Sequence, residues 1–174
     1  MNFVKLLEKI KKTNNILILM VGVPLSGKST FIKKIKDYAI IMSRDDLIIE
    51  IAKSLPSNKD IDISYNDAYN SVNQKQISVL FKEKLNEAGQ TGNNYIIDMT
   101  NVRPKYRKDT LSYFPNHEKI AIVLDTPTKK ELLRRNENRK INENKYIDEE
   151  VIDKMINRFT FPTKKEGFDY ILKI

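Results

Sequence analysis

The stretch Gly22-Val23-Pro24-Leu25-Ser26-Gly27-Lys28-Ser29-Thr30 has the residue types and spacing of an anion cradle. It fits the phosphate-loop pattern G-x-x-x-x-G-K-S/T. Its two glycines let the backbone approach phosphate oxygens, and a helix starting here would point its free N–H groups and positive dipole end at them. In such a loop Lys28 reaches the β- and γ-phosphates of a nucleoside triphosphate, and the Ser29 hydroxyl ligates Mg²⁺. The flanks agree. Ile16 to Val21 is an apolar, β-branched run, and Phe31, Ile32 and Ile35 alternate with Lys33, Lys34 and Lys36 as on a helix.

Phosphoryl transfer also needs an oriented nucleophile and cations for the spreading charge. Asp45 follows the short apolar run Ala39 to Met42 and could accept a hydroxyl proton. Ser43, Asp45 or Asp46 could instead cap the next helix. Asp98 ends the run Tyr95-Ile96-Ile97, where a second carboxylate commonly holds Mg²⁺. Its other reading is a strand-end turn residue. Arg135 and Arg139, with Arg134 beside them, are spaced to share one helix face. They would place guanidinium groups on phosphates or form a solvated basic face. Arg103, Lys105, Arg107 and Lys108 either line an acceptor channel or face water. Tyr65 and Tyr69 either pack or stack a base, and His117 reads as exposed.

The elements that must hold these groups follow from periodicity. A lead-in helix covers residues 3 to 11. Strands are expected at Ile16 to Val21, Ala39 to Met42 (buried), Tyr95 to Asp98, Ile120 to Asp125 and Tyr170 to Ile174. Helices are expected from the loop to about Tyr38, from Leu47 to Pro56, from Tyr65 to Ala88 as one long element, from Arg103 to Phe114, and at Lys129 to Lys140 and Asp148 to Phe159. Residues 56 to 65 read as a polar turn. Alternating strands and helices predict a parallel sheet with helices on both faces. Right-handed crossovers then bring Lys28, Asp45 and Asp98 to one rim.

The chain has 174 residues, a net charge of +8 and no cysteine. Length predicts one domain spanning 1–174, with a lid at about 128–147. The basic balance suits nucleotides and nucleic acids, or reflects many solvated lysines. No run has membrane-span length and no secretory leader is visible, so a cytoplasmic protein is expected.

In this combination the residues resemble the kinase domain of bacteriophage 5′-hydroxyl polynucleotide kinases, within the wider set of small P-loop kinases. The resemblance rests on the loop Gly22 to Thr30, the turn Arg44-Asp45-Asp46, the pair Thr100-Asn101 followed by Pro104 and Arg107, and Arg135-Asn136-Glu137-Asn138-Arg139. It implies a P-loop NTPase fold, α/β, with five parallel strands in the order 2-3-1-4-5 and a helical lid. It implies ATP as donor and Mg²⁺, with Gly22, Val23, Pro24, Leu25, Ser26, Gly27, Lys28, Ser29, Thr30, Arg135 and Arg139 on the nucleotide. Ser29 and Asp98 take the metal, and Lys28, Asp45 and Arg139 are catalytic, Asp45 as general base. Arg44, Thr100, Asn101, Arg103 and Arg107 are expected on the acceptor, a DNA or RNA 5′ end. If the chain is phage-encoded, it would act in the host cytoplasm. Two departures stand out. Three residues after Asp45, where the phage enzymes carry an acceptor-binding arginine, this chain has Ile48. No Asp-x-Asp-Gly-Thr phosphatase motif is present, so a kinase-only protein is expected. The alternatives are a kinase for a small-molecule or modified-base hydroxyl, and a nucleotide-binding switch without kinase activity.

Overall fold

The computed structural model describes residues 2–58 and 62–174. Part of the expected polar turn, residues 59–61, lies outside the described residues. In chain order the elements are α1 (Phe3–Lys12), β1 (Ile16–Val21), α2 (Lys28–Ile32), β2 (Ile40–Ser43), α3 (Arg44–Ser54), α4 (Tyr65–Ser71), α5 (Gln74–Gly89), β3 (Tyr95–Asp98), α6 (Pro104–Ser112), β4 (Glu118–Val123), α7 (Lys129–Glu143), α8 (Glu149–Asn157) and β5 (Tyr170–Lys173).

The five strands form one sheet in the order β2-β3-β1-β4-β5, and every pairing is parallel. This is the expected P-loop order. β1 lies at the centre, with Ile18 opposite Ile96 of β3 and Ile120 of β4. All six of its side chains are buried. Strand alternation sends Leu17, Leu19 and Val21 into one core layer and Ile16, Ile18 and Met20 into the other. A strand covered on both faces must read as continuously apolar, and this one does.

Three expected elements come out differently. α2 stops at Ile32, and the chain continues through i→i+3 bonds (Lys34 N to Phe31 O, Ile35 N to Ile32 O) into a 3₁₀ turn at Lys36–Tyr38. This tighter winding stacks Ile32 and Ile35, three apart, over the same core layer. The long helix expected from Tyr65 to Ala88 is broken at Val72. There the Asn73 side chain accepts from Lys75 N and Gln76 N and starts α5. β2 is an edge strand rather than a buried one, and Ile40 and Ile41 remain half-exposed. His117, expected at the surface, is 4% exposed, packed against Phe114 and Tyr95, with Nε2 3.1 Å from Asn93 O. Burial lowers its pKa, so the ring is kept neutral.

Asn94 ties the sheet's lower edge together. Its Oδ1 accepts from Ile16 N at 3.0 Å, and Nδ2 donates to Ile10 O, Thr13 O and Tyr38 O. Asn94→Ala leaves these buried groups unpaired and should lower stability by ~2–3 kcal/mol. The check is a fall in the urea midpoint with little change in slope.

Candidate functional site

At the C-terminal ends of β1, β2 and β3, under α7 and α8, lies a cleft of about 1140 Å³. It is where loops on this rim converge. A smaller groove of about 440 Å³ along the β2 edge includes no residue of the phosphate loop.

The loop leaves β1 at Val21 and turns into α2 at Gly27, whose φ of 102° suits glycine. Gly22 is constrained sterically, since a Cβ there would lie 2.7 Å from Ser26 Oγ and 3.3 Å from Leu124 Cβ. Its N–H donates to Thr100 O at 2.9 Å. The Lys28 side chain is buried, and its Nζ donates to Gly22 O at 3.0 Å and Val23 O at 2.8 Å. Burial lowers its pKa to about 8, with Arg139 adding to the drop and Asp98 and Asp45 opposing it. Ser26 Oγ is buried inside the loop without a partner among the described residues.

Ser43 resolves the capping question. Its Oγ accepts from Asp46 N at 3.2 Å, so Ser43 caps α3 and Asp45 is not needed for that. Asp45 faces the cleft, where Oδ1 accepts from Tyr65 Oη at 2.8 Å and Oδ2 from Lys145 Nζ at 2.7 Å. Asp98, at the end of β3, also lines the cleft, and burial raises its pKa against the pull of Lys28. A hydroxyl (Ser29) and a carboxylate (Asp98) are hard oxygen donors that suit Mg²⁺. Among the described residues no group of three or more His, Cys, Asp or Glu converges on a point. That donor set fits a cation completed by phosphate oxygens rather than a closed protein cage.

α7 delivers its arginines to the other side. Arg135 Nη1 donates to Leu25 O at 2.9 Å and Nε to Glu131 Oε1 at 2.7 Å. Arg139 lines the cleft with Nε on Glu143. Arg134 points away, paired with Glu131. A separate apolar cluster of Val23, Val102, Leu132 and Ile152 seats α7 and α8 on the loop itself.

The cleft therefore gathers the loop from Pro24 to Thr30 with Arg44, Asp45, Asp98, Thr100, Arg135 and Arg139. Gly22 and Val23 support it from behind, through the carbonyls that hold Lys28. Three residues expected on the acceptor have side chains that lie elsewhere. Arg107 is fully buried, and its guanidinium binds Glu166 at 2.7 and 2.8 Å and the carbonyls of Asn101 and Thr160. Burial pushes Glu166 up, but the Arg107 bonds, the Thr163 N–H and the charges of Arg107 and Lys108 together hold that carboxyl low. Asn101 is buried too and spends its Nδ2 on Met20 O at 2.9 Å, fixing the end of β1. Arg103 does not line the cleft, and its guanidinium lies over the Tyr106 ring at 5.5 Å. Arg44 lines the cleft with Nη2 anchored on Gln74 Oε1 at 2.8 Å. Ile48, on the inward face of α3, is fully buried. Lys145 was missed by sequence reasoning. It sits in a polar link without periodicity, so no local signal marks it.

A family model described as an AAA domain matches residues 17–162, and the chain belongs to that family, with a P-loop kinase-like fold. No curated protein matches the chain at a significant level. Three solved structures share the fold. One is the Pnkp1/Rnl/Hen1 RNA repair complex, 23% identical, with TM-score 0.65 over 90% of this chain and 47% of that one. Another is a gluconokinase from Sinorhizobium meliloti 1021, 13% identical, with TM-score 0.55 over 92% and 82%. The third is Kti12 from Chaetomium thermophilum in complex with ADP-AlF3, 15% identical, with TM-score 0.56 over 91% and 88%.

Two outcomes follow from this geometry. Above its pKa of about 8, Lys28 in the free protein is largely neutral. A bound polyphosphate recharges it, so nucleotide binding at about pH 9 should take up close to one proton, and this group should take up close to none at about pH 7. Calorimetry in buffers of different ionisation enthalpy measures this uptake. Arg107→Met strands the Glu166 carboxylate and should cost ~3 kcal/mol or more. Denaturant unfolding reads that loss, and acceptor affinity per folded molecule should not change.

Proposed function

We propose that this protein is an ATP-dependent kinase that transfers the γ-phosphoryl group to the 5′-hydroxyl of a DNA or RNA end. The observation that carries the reading is Asp45, released from capping by Ser43 and facing one cleft with Lys28 and Arg139. A bare nucleotide switch has no need of a carboxylate there.

In this reading the loop N–H groups and Lys28 hold the β- and γ-phosphates, with Arg135 bracing the loop through Leu25 O. Ser29 and Asp98 would hold the Mg²⁺ that accompanies ATP, which when bound would supply neutralising charge to the phosphates. Asp45 accepts the proton of the acceptor hydroxyl as its oxygen bonds to the γ-phosphorus. The bond from that phosphorus to the β-phosphate oxygen breaks, and ADP leaves. Arg139 faces the charge that spreads over the transferring group. Arg44 and Thr100 remain the cleft residues on the acceptor side. The residues from α7 to position 147 act as a lid over the donor.

Support for a nucleic-acid acceptor comes from the net charge of +8 and the fold shared with the RNA repair complex. ATP as donor is supported by the nucleotide loop and by the ADP-AlF3 held in the Kti12 structure. A second reading, a kinase for a small-molecule or modified-base hydroxyl, is favoured by one observation. Ile48 carries no charge, and the Arg107 charge is buried against Glu166. The gluconokinase shares the fold too, at the lower TM-score of 0.55.

The test is γ-labelled ATP with a 5′-hydroxyl oligonucleotide beside the same strand already 5′-phosphorylated. Label should appear only on the first. Asp45→Asn should leave ATP binding within about twofold and cut turnover by about 10² or more. Acceptor affinity should fall steeply with salt, as counterion release requires. No label on either strand while ATP still binds would overturn the nucleic-acid reading in favour of the second.

A further inference from the structure

Lys145 lies in the link between α7 and α8, residues 144–148, and this link is stitched down from both sides. Asn136 of α7 accepts from Ile147 N at 3.0 Å and donates to Ile147 O at 2.7 Å. Asn66 of α4 accepts from Tyr146 N at 3.3 Å and donates to Tyr146 O at 3.5 Å. Two side-chain amides thus hold successive residues of one strap by both their N–H and C=O groups. Between these anchors and the cleft, Lys145 Nζ lies 2.7 Å from Asp45 Oδ2 and 3.5 Å from the centre of the Tyr65 ring. Tyr65 Oη donates to the other oxygen of the same carboxylate at 2.8 Å. Burial first, and then the Asp45 charge, push the Tyr65 phenol well above its ordinary range, so it remains a donor.

The asymmetry of exposure matters. The Lys145 side chain is 13% exposed and that of Asp45 is 48% exposed. The ammonium is pinned between a ring and a carboxylate while the carboxylate stays open to the cleft. Each carboxylate oxygen has two acceptor sites. One on each oxygen is taken by a fixed donor, and the others remain for a hydroxyl. Two donors on two oxygens also remove the freedom of the carboxylate to rotate about its last bond.

We propose that Lys145, with Tyr65, is a positioning residue for phosphoryl transfer: it fixes the Asp45 carboxylate in the plane that meets the acceptor hydroxyl. Because Lys145 rides on the strap that leaves α7, it also ties the helix that bears Arg135 and Arg139 to the acceptor side. The inference rests on the reading of Asp45 as the group that takes the acceptor proton. A misplacement of about 1 Å at such a group can cost about 10²-fold in rate, which sets the scale of the effect.

The test is a double-variant cycle on the full chain, using single-turnover transfer to a 5′-hydroxyl oligonucleotide, with nucleotide affinity and melting temperature measured beside it. Lys145→Met should slow transfer by about 10-fold or more while the ATP Kd stays within about twofold. Lys145→Arg should recover most of the rate, because it keeps the charge and a donor. In the Asp45→Asn background, Lys145→Met should add less than about twofold, because residues acting as a unit are not additive. Tyr65→Phe should give a smaller loss that disappears in the same background. Multiplicative losses in the double variant would overturn the inference, as would a fall in ATP affinity equal to the fall in rate. Wild-type protein that transfers no label would overturn the acceptor reading itself. Wild-type activity with multiplicative losses would overturn this inference alone.

Discussion

A buried ammonium sets the terms for the rest of this structure. Lys28 sits at the end of the central strand with two backbone carbonyls on its Nζ and a carboxylate, Asp98, in its field. Taking that charge out of water is costly unless polar groups surround it. The loop supplies them by turning Gly22 O and Val23 O inward, and at Gly22 the nearness of Ser26 and Leu124 leaves little room for a side chain. The loop's first N–H is then fixed by Thr100 O, and the strand below by Asn101. The Thr100-Asn101 pair therefore belongs to the machinery that shapes the loop. The residual strain of holding a cation in this way is visible in its proton affinity, and a polyphosphate would relieve it.

The second layer is apolar. Val23 and Val102 from below and Leu132 and Ile152 from above seat α7 and α8 directly on the loop. Arg107 and Glu166 add a buried ion pair that joins α6 to the chain before β5, and Arg107 also braces Thr160 O just after α8. An arginine expected at the acceptor instead holds the platform on which the arginine helix stands. Function and framework are thus linked through packing: α7 positions Arg135 and Arg139 in the cleft beside the phosphate loop, and the strap leaving it reaches Asp45.

Much of this was legible from residue order. The loop, the parallel sheet and the convergence of Lys28, Asp45 and Asp98 followed from an apolar run ending in a motif and from alternating elements. What escaped had physical causes. The break at Asn73 is one side chain accepting two N–H groups, a local competition that a continuous apolar stripe conceals. The exposure of Ile40 and Ile41 comes from edge position, which depends on strand order and not on composition. Arg107 looked like a surface charge because its partner, Glu166, is 59 residues away. Lys145 is 100 residues from Asp45 and lies in a link with no pattern at all. The resemblance carried the fold, while on the acceptor side Ile48 departs from it and Arg107 and Asn101 are spent on the framework.

In the proposed reaction donor and acceptor meet in line within this cleft, with a 5′-hydroxyl opposite the γ-phosphate position. The most direct measurement is the affinity of a fluorescent 5′-hydroxyl oligonucleotide, followed by anisotropy, with Mg²⁺ and ADP alone and then with aluminium fluoride added to mimic the transferring group. Aluminium fluoride should tighten binding by about 10²-fold or more, as complementarity to a transition state requires, and the 5′-phosphorylated strand should show no such gain. Equal tightening of both strands, or none of either while ADP remains bound, would contradict the proposed reaction.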